Sequence, residues 1–169
     1  PLDALPAPLM HTPLAHGALV QVLGEPHQLL LHAGRRPATR AAGRLELGVA
    51  AVVVPAQALE RWFRREAQHY YPLRVQHFAE RLGVAPPLVR LTSARTRWGS
   101  CNHRGEIRLH WRLMQAHPML IDYVVAHELA HLLELNHSPR FWAHVERVFP
   151  HWRESRAQLR AQGAALWSW

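Results

Sequence analysis

Residues 120–133 constrain this chain more than any other stretch. They are apolar on nearly every side of a helix, through Leu120, Val124, Val125, Leu129, Leu132 and Leu133. A helix with no polar face must be buried. Yet this one carries His127-Glu128-Leu129-Ala130-His131. Unpaired charge in such surroundings is costly, so the three polar groups need a common reason. Their spacing supplies one. Positions i and i+4 lie nearly above one another on a helix, so His127 and His131 can share a metal ion. Glu128 projects about 100° round the axis from His127. It can reach a water on that ion without ligating it, and act as general base.

A hydrolytic zinc site takes three protein ligands and keeps one position for water. His137 is the choice for the third. It follows His131 by six residues, just past Asn136, which is expected to end the helix in a left-handed conformation. Glu134 is the rival. It shares the helix face but lies roughly 10 Å along the axis from His127, so it better suits a carboxylate that orients a ligating histidine. Zinc is expected from the imidazole donors and the motif. The other histidines, of 14 in all, read as surface or locally hydrogen-bonded groups. His103 and His110 lie nearest the region of interest.

The pattern along the chain predicts a mixed fold. Residues 1–17 hold four prolines and read as an irregular lead-in. Leu19 to Leu23, Gln28 to His32 and Arg44 to Val54 read as strands, with Gly24-Glu25-Pro26 as a turn and residues 34–43 as a basic turn-like segment. Together they predict a small antiparallel sheet. Pro55 opens a helix that Pro72 should kink or split and Gly83 should cap. Leu88 to Thr92 and Glu106 to His110 read as two further strands, joined by a long loop over residues 93–105. Pro118 starts the metal-bearing helix, which should run to about Leu135. Ser138-Pro139 opens another, which Pro150 ends, before an amphipathic tail closing on Trp167 and Trp169. The expectation is an α+β fold: a strand-rich region over 1–55 and a catalytic domain over 56–169, packed as one unit.

The 20 basic residues outnumber the 12 acidic ones, for a net charge of +8, and all 20 are arginine. That balance favours an acidic or nucleic-acid partner. The one cysteine, Cys101, cannot form an internal disulfide, which suits a reducing, cytoplasmic setting; it reads as a small apolar residue. No basic segment followed by an apolar run marks the first residues as a signal peptide. No run of about 18 apolar residues suggests a membrane span.

From Arg97-Trp98-Gly99-Ser100-Cys101 onward the chain resembles a known family. The run continues through Gly105-Glu106-Ile107, Trp111-Arg112-Leu113, Asp122-Tyr123-Val124-Val125, His127 to His131, Asn136-His137-Ser138 and Phe141-Trp142. This set is similar to the YgjP-like metallopeptidases, relatives of the SprT-like and WLM zincins. The resemblance covers residues 90–150 most strongly. It implies a zincin-like α+β fold, Zn2+ on His127, His131 and His137, and Glu128 as the catalytic residue. The family pattern usually has Asn where this chain has His110.

The expected function is a zinc-dependent hydrolase, read first as a metallopeptidase. Zinc would lower the pKa of its water toward ~7, and Glu128 would take that proton and pass it to the leaving group. Arg95 and Arg97, on the long loop, are candidates to hold an oxyanion. Tyr123, one turn before His127, is a candidate for the same cleft. Two alternatives stand beside this. One is a metal-dependent nucleoside triphosphate pyrophosphohydrolase, favoured by the arginine-rich loop. The other is a non-enzymatic, metal-stabilised nucleic-acid-binding module, favoured by the charge.

Overall fold

The computed structural model describes residues 13–169. The lead-in expected over residues 1–17 lies largely outside them. The front of the chain forms a four-stranded sheet from β1 (Leu19–Val22), β2 (Glu25–Ala33), β3 (Thr39–Ala41) and β4 (Arg44–Val49), in the order β1-β2-β4-β3. The antiparallel pairings are β1 with β2 and β3 with β4. Between them β2 and β4 run parallel, setting Leu29 against Leu45 and Leu31 against Leu47. Alternation turns Val20, Val22, Leu29, Leu45 and Leu47 inward. Both antiparallel hairpins close on two residues of positive φ, Leu23-Gly24 at 50° and 79° and Ala42-Gly43 at 50° and 71°, the backbone that matches strand twist. The first turn is thus shorter than expected, and Glu25 and Pro26 belong to β2.

Helix α1 (Pro55–Leu82) starts on a proline and ends at Gly83, which is left-handed at φ 76°. Pro72 lies inside it without splitting it. The buried face continues on both sides of Pro72, through Ala67, Tyr71, Val75 and Phe78, so packing outweighs the lost hydrogen bond. A second sheet holds β5 (Val89–Thr92), β6 (Gly99–Cys101) and β7 (Ile107–His110), in the order β5-β7-β6. β5 runs parallel and β6 antiparallel to β7. β6 lies inside what reads as a loop. Gly-Ser-Cys has little intrinsic preference for a strand, so only its pairing with β7 makes it one.

A 3-10 turn (Trp111–Gln115) leads to α2 (Pro118–Ala130), α3 (Pro139–Val148), α4 (Trp152–Gln162) and a closing 3-10 turn (Gly163–Trp167). One buried cluster joins the inner face of the first sheet to α1, α2 and the C-terminal turns. Arg74 on α1 forks onto Asp122 on α2, with Nε to Oδ1 at 2.8 Å and Nη2 to Oδ2 at 2.9 Å, a charge-assisted pair that sets the two helices in register. The tail docks through aromatic rings: Arg112 lies 4.6, 4.9 and 4.5 Å from the ring centres of Trp111, Trp167 and Trp169. Among the described residues, no helix is long and apolar enough to cross a membrane.

His110 is buried, 1% exposed, and its main-chain oxygen accepts from the Tyr71 hydroxyl at 2.7 Å. Its Nδ1 accepts from the Arg112 main-chain N–H at 3.0 Å and so caps the 3-10 turn. Asparagine, the usual residue of the family pattern here, is a preferred capping residue; the imidazole fills the same task. Burial, then Arg112 and Arg64, lowers the His110 pKa to about 3. In the unfolded chain it titrates near ~6.5. Its neutral form therefore supports the fold fully above that value, and the support is lost as pH falls toward the folded-state pKa. His110→Asn keeps the cap and removes the titration. Denaturant unfolding from pH 7 down to 3 should show the wild type losing up to about 1.4 kcal/mol per pH unit more than the variant; equal slopes would contradict this.

Candidate metal centre

Helix α2 starts at His117, whose Nδ1 accepts from the Met119 N–H at 3.1 Å, with Pro118 in the first turn. Its last two turns deliver His127 and Glu128, 2% and 3% exposed. The helix ends at Ala130, one turn earlier than its apolar pattern predicts, and His131 is its C-cap. The chain then tightens through main-chain bonds from Leu132 to Leu129 and from Leu133 to Ala130, at 3.0 Å each. Asn136 is not left-handed, since Leu23 and Ala42 are the only non-glycine described residues with positive φ. The turn is closed instead by His131 Nδ1, which donates to the Glu134 main-chain oxygen at 3.1 Å. Thus Glu134 does orient a histidine of the cluster, but by its main chain. That bond leaves His131 Nε2 free to face the cavity.

His137 follows on the returning chain, just before Ser138, whose Oγ caps α3 at Phe141 N. The three imidazoles converge. Ring centres are 5.1 Å apart for His127 and His131, 5.1 Å for His127 and His137, and 4.7 Å for His131 and His137. One nitrogen from each lies within 4.8 Å of the other two. Phe141, fully buried, supports all three: its ring stacks on His131 at 4.4 Å and meets His127 and His137 edge-on at 4.9 Å each. Phe141 reads in the sequence as ordinary core, and its helical spacing alone does not reveal this second task.

These groups share a cavity of about 400 Å³ with Thr96, Arg97, Gly99, Ser100 and Cys101. Burial lowers the His127 pKa to about 2, helped by His131 and His137. It lowers His137 to about 4 and moves His131 the same way. All three are therefore neutral imidazoles near neutral pH, the form that ligates a metal. Glu128 moves oppositely: burial raises its pKa to about 8, with Arg97 pulling it back. A cation in the cavity would favour its ionised form.

The donor set fits a divalent metal. His127 Nε2 and His137 Nε2 face one another at 3.2 Å. Nitrogens about 2.0–2.1 Å from a tetrahedral zinc lie about 3.3 Å apart. His127 Nδ1, the ring nitrogen turned away from His137, is buried with no hydrogen-bond partner among the described residues.

β6 forms the opposite wall, and its closeness depends on Gly99. A Cβ there would lie 3.0 Å from Glu128 Cγ, 3.1 Å from Val124 Cγ1 and 3.2 Å from the Arg108 oxygen. β6 is also the last strand of its sheet. His110 N bonds Trp98 O at 2.8 Å, and Ser100 stands opposite Arg108. Alternation along the ladder then turns the main-chain groups of Gly99 and Cys101 to the edge that no described strand pairs, beside the cavity. Cys101 is half-buried in this wall, and burial followed by Glu128 raises its thiol pKa to about 11.

Not every residue singled out in the sequence arrives here. Arg97 lines the cavity and Arg95 does not. Tyr123 is 1% exposed and packs its ring 5.9 Å from that of His127, behind the cavity wall. Gly99, Ser100 and Cys101 line the cavity with no signal in the sequence, because β6 is not legible as a strand, and Thr96 joins them from the segment before it.

The model of the YgjP-like metallopeptidase domain matches residues 6–162. The chain belongs to this family. A solved structure, the metallopeptidase zymogen abylysin of Pyrococcus abyssi, is 27% identical with a TM-score of 0.50, over 53% of this chain and 90% of that one. The metallopeptidase zymogen jannalysin of Methanocaldococcus jannaschii is 17% identical with a TM-score of 0.48, over 53% of this chain and 92% of that one. Comparison with curated proteins returned no match. This YgjP-like chain is a metal-dependent hydrolase, a metallopeptidase of zincin-like α+β fold.

Two measurements follow. Metal analysis after purification should find about one divalent ion per wild-type chain and a sharp loss in His137→Ala; equal content would remove His137 from the ligand set. Gly99→Ala should cost about 1–3 kcal/mol in unfolding free energy by overpacking and slow hydrolysis by displacing Glu128. Unchanged stability and activity would show that the wall yields freely.

Proposed function

We propose that this metallopeptidase is a zinc enzyme, with the ion held by His127, His131 and His137 and with Glu128 as general base toward water. The observation that supports this is the meeting of three neutral imidazoles and a buried carboxyl in one cavity, beside a strand edge left unpaired among the described residues. Bound there, zinc would supply Lewis acidity, lowering the pKa of a water toward ~7 and polarising the scissile carbonyl. Glu128, ionised beside the cation, accepts the proton of the attacking water. Its buried setting, which raises its pKa to about 8 without metal, then lets it hold that proton and pass it to the leaving amine. Arg97 faces the same cavity and stabilises the developing oxyanion.

The edge of β6 favours a peptide. An extended segment can add to it as a further strand through the main-chain groups of Gly99 and Cys101. A nucleoside triphosphate would bring several negative charges, and Arg97 is the only arginine in the cavity wall. The free thiol of Cys101 suits a reducing compartment, and we assign the enzyme to the cytoplasm on that ground.

Glu128→Gln is the direct test, with an unfolded polypeptide as substrate. Hydrolysis should fall by roughly 10²–10⁴-fold while metal content stays that of the wild type. A variant as fast as the wild type would exclude Glu128 as the base. Cleavage of nucleoside triphosphates with none of polypeptide would move the reaction to phosphoryl chemistry.

A further inference from the structure

Away from the metal centre, a cavity of about 490 Å³ opens between α1, β4 and the loop after β2. Arg35, Arg36, Arg61 and Arg65 line it, and among the described residues no carboxylate does. It shares no residue with the metal cavity. None of the four arginines has an ion pair among the described residues. Arg61 and Arg65 stand one turn apart on α1, where like charges repel. Arg35 and Arg36 are held in place by close packing of the main chain. A Cβ on Gly48 of β4 would lie 2.4 Å from Arg36 N and 2.6 Å from Gly34 O. An anchored loop and a helix thus aim four guanidinium groups into one space without neutralising them.

The next face of α1 repeats the pattern. A groove of about 520 Å³ is lined by Arg64, Arg90 and Arg108, again with no carboxylate from the described residues in its wall. Arg90 and Arg108 are direct neighbours on β5 and β7, an arrangement that costs stability when nothing negative lies between them. Arg64 is paired with Glu60 at 2.8 Å. Helix α1 is therefore a ridge between two arginine grooves.

We propose that these two grooves, with α1 between them, are a docking site for the phosphodiester backbone of a nucleic-acid duplex. The planar guanidinium fork matches phosphate oxygens. Two grooves on successive faces of one helix exceed what a single small anion needs, and the net charge of +8 suits a long polyanion. Single strands are bound largely by stacking bases on aromatic rings. Here the first groove offers only Trp62, 5% exposed, and the second offers no aromatic residue. The site concerns binding alone and stands independently of the peptidase chemistry.

The test uses a short fluorescent DNA duplex and the full chain, comparing wild type with the double variant Arg61→Gln, Arg65→Gln. The wild type should bind at low salt and weaken steeply as salt rises. The variant should bind at least about tenfold more weakly, with the slope of log affinity against log salt reduced by about two. Its thermal midpoint should stay at or above that of the wild type, which separates lost binding from lost fold. Absence of duplex binding by the wild type at low salt, or equal affinity and slope in the variant, would overturn the proposal. So would a single strand or a poly-glutamate peptide binding as tightly as the duplex.

Discussion

A buried helix that carries ionisable groups must keep them uncharged or give them a shared counter-charge. Helix α2 faces this requirement at His127 and Glu128, and the rest of the molecule is arranged around the outcome. Burial drives the imidazole pKa down and the carboxyl pKa up, so both groups are neutral in the metal-free protein near pH 7. In the function proposed above, the same burial would leave lone pairs ready for a cation among the three histidines, and that cation would favour the carboxylate form of Glu128.

Holding that arrangement falls to packing rather than to local chain preference. Phe141 touches all three imidazoles, so the start of α3 acts as the base of the site. The fork of Arg74 on Asp122 ties α2 to α1. The absence of a side chain at Gly99 lets β6 approach α2 until Glu128 packs against its main chain. These contacts come from four separate elements and converge on α2.

Charge is distributed unevenly over the chain. The metal cavity has one arginine, Arg97, in its wall. Arg112 is enclosed by three tryptophan rings, and burial lowers its pKa to about 10. The grooves flanking α1, by contrast, gather arginines that repel one another. A net charge read from composition cannot distinguish a structural guanidinium held among rings from one left facing solvent. Position in the fold makes that distinction.

The sequence by itself determined which ionisable side chains meet in the cavity. The spacing of His127 and His131 on an apolar helix, the glutamate between them and the histidine beyond a turn are local facts, and local geometry follows from them. The same holds for the caps at Gly83 and Ser138 and for the strand character of Leu19 to Val22 and Gln28 to His32, whose signals lie within a few residues of one another. Only the tertiary structure decided that Pro72 would leave α1 whole, that α2 would stop at Ala130, and that Gly99-Ser100-Cys101 would be a strand at the cavity edge. It alone placed Arg97 in the cavity and Arg95 outside, Tyr123 behind the wall, and Glu134 on His131 through its main chain. Each of these is set by contacts between residues far apart in the chain, where the gain in packing or pairing exceeds a weak local preference, and such a balance cannot be read from neighbours in sequence.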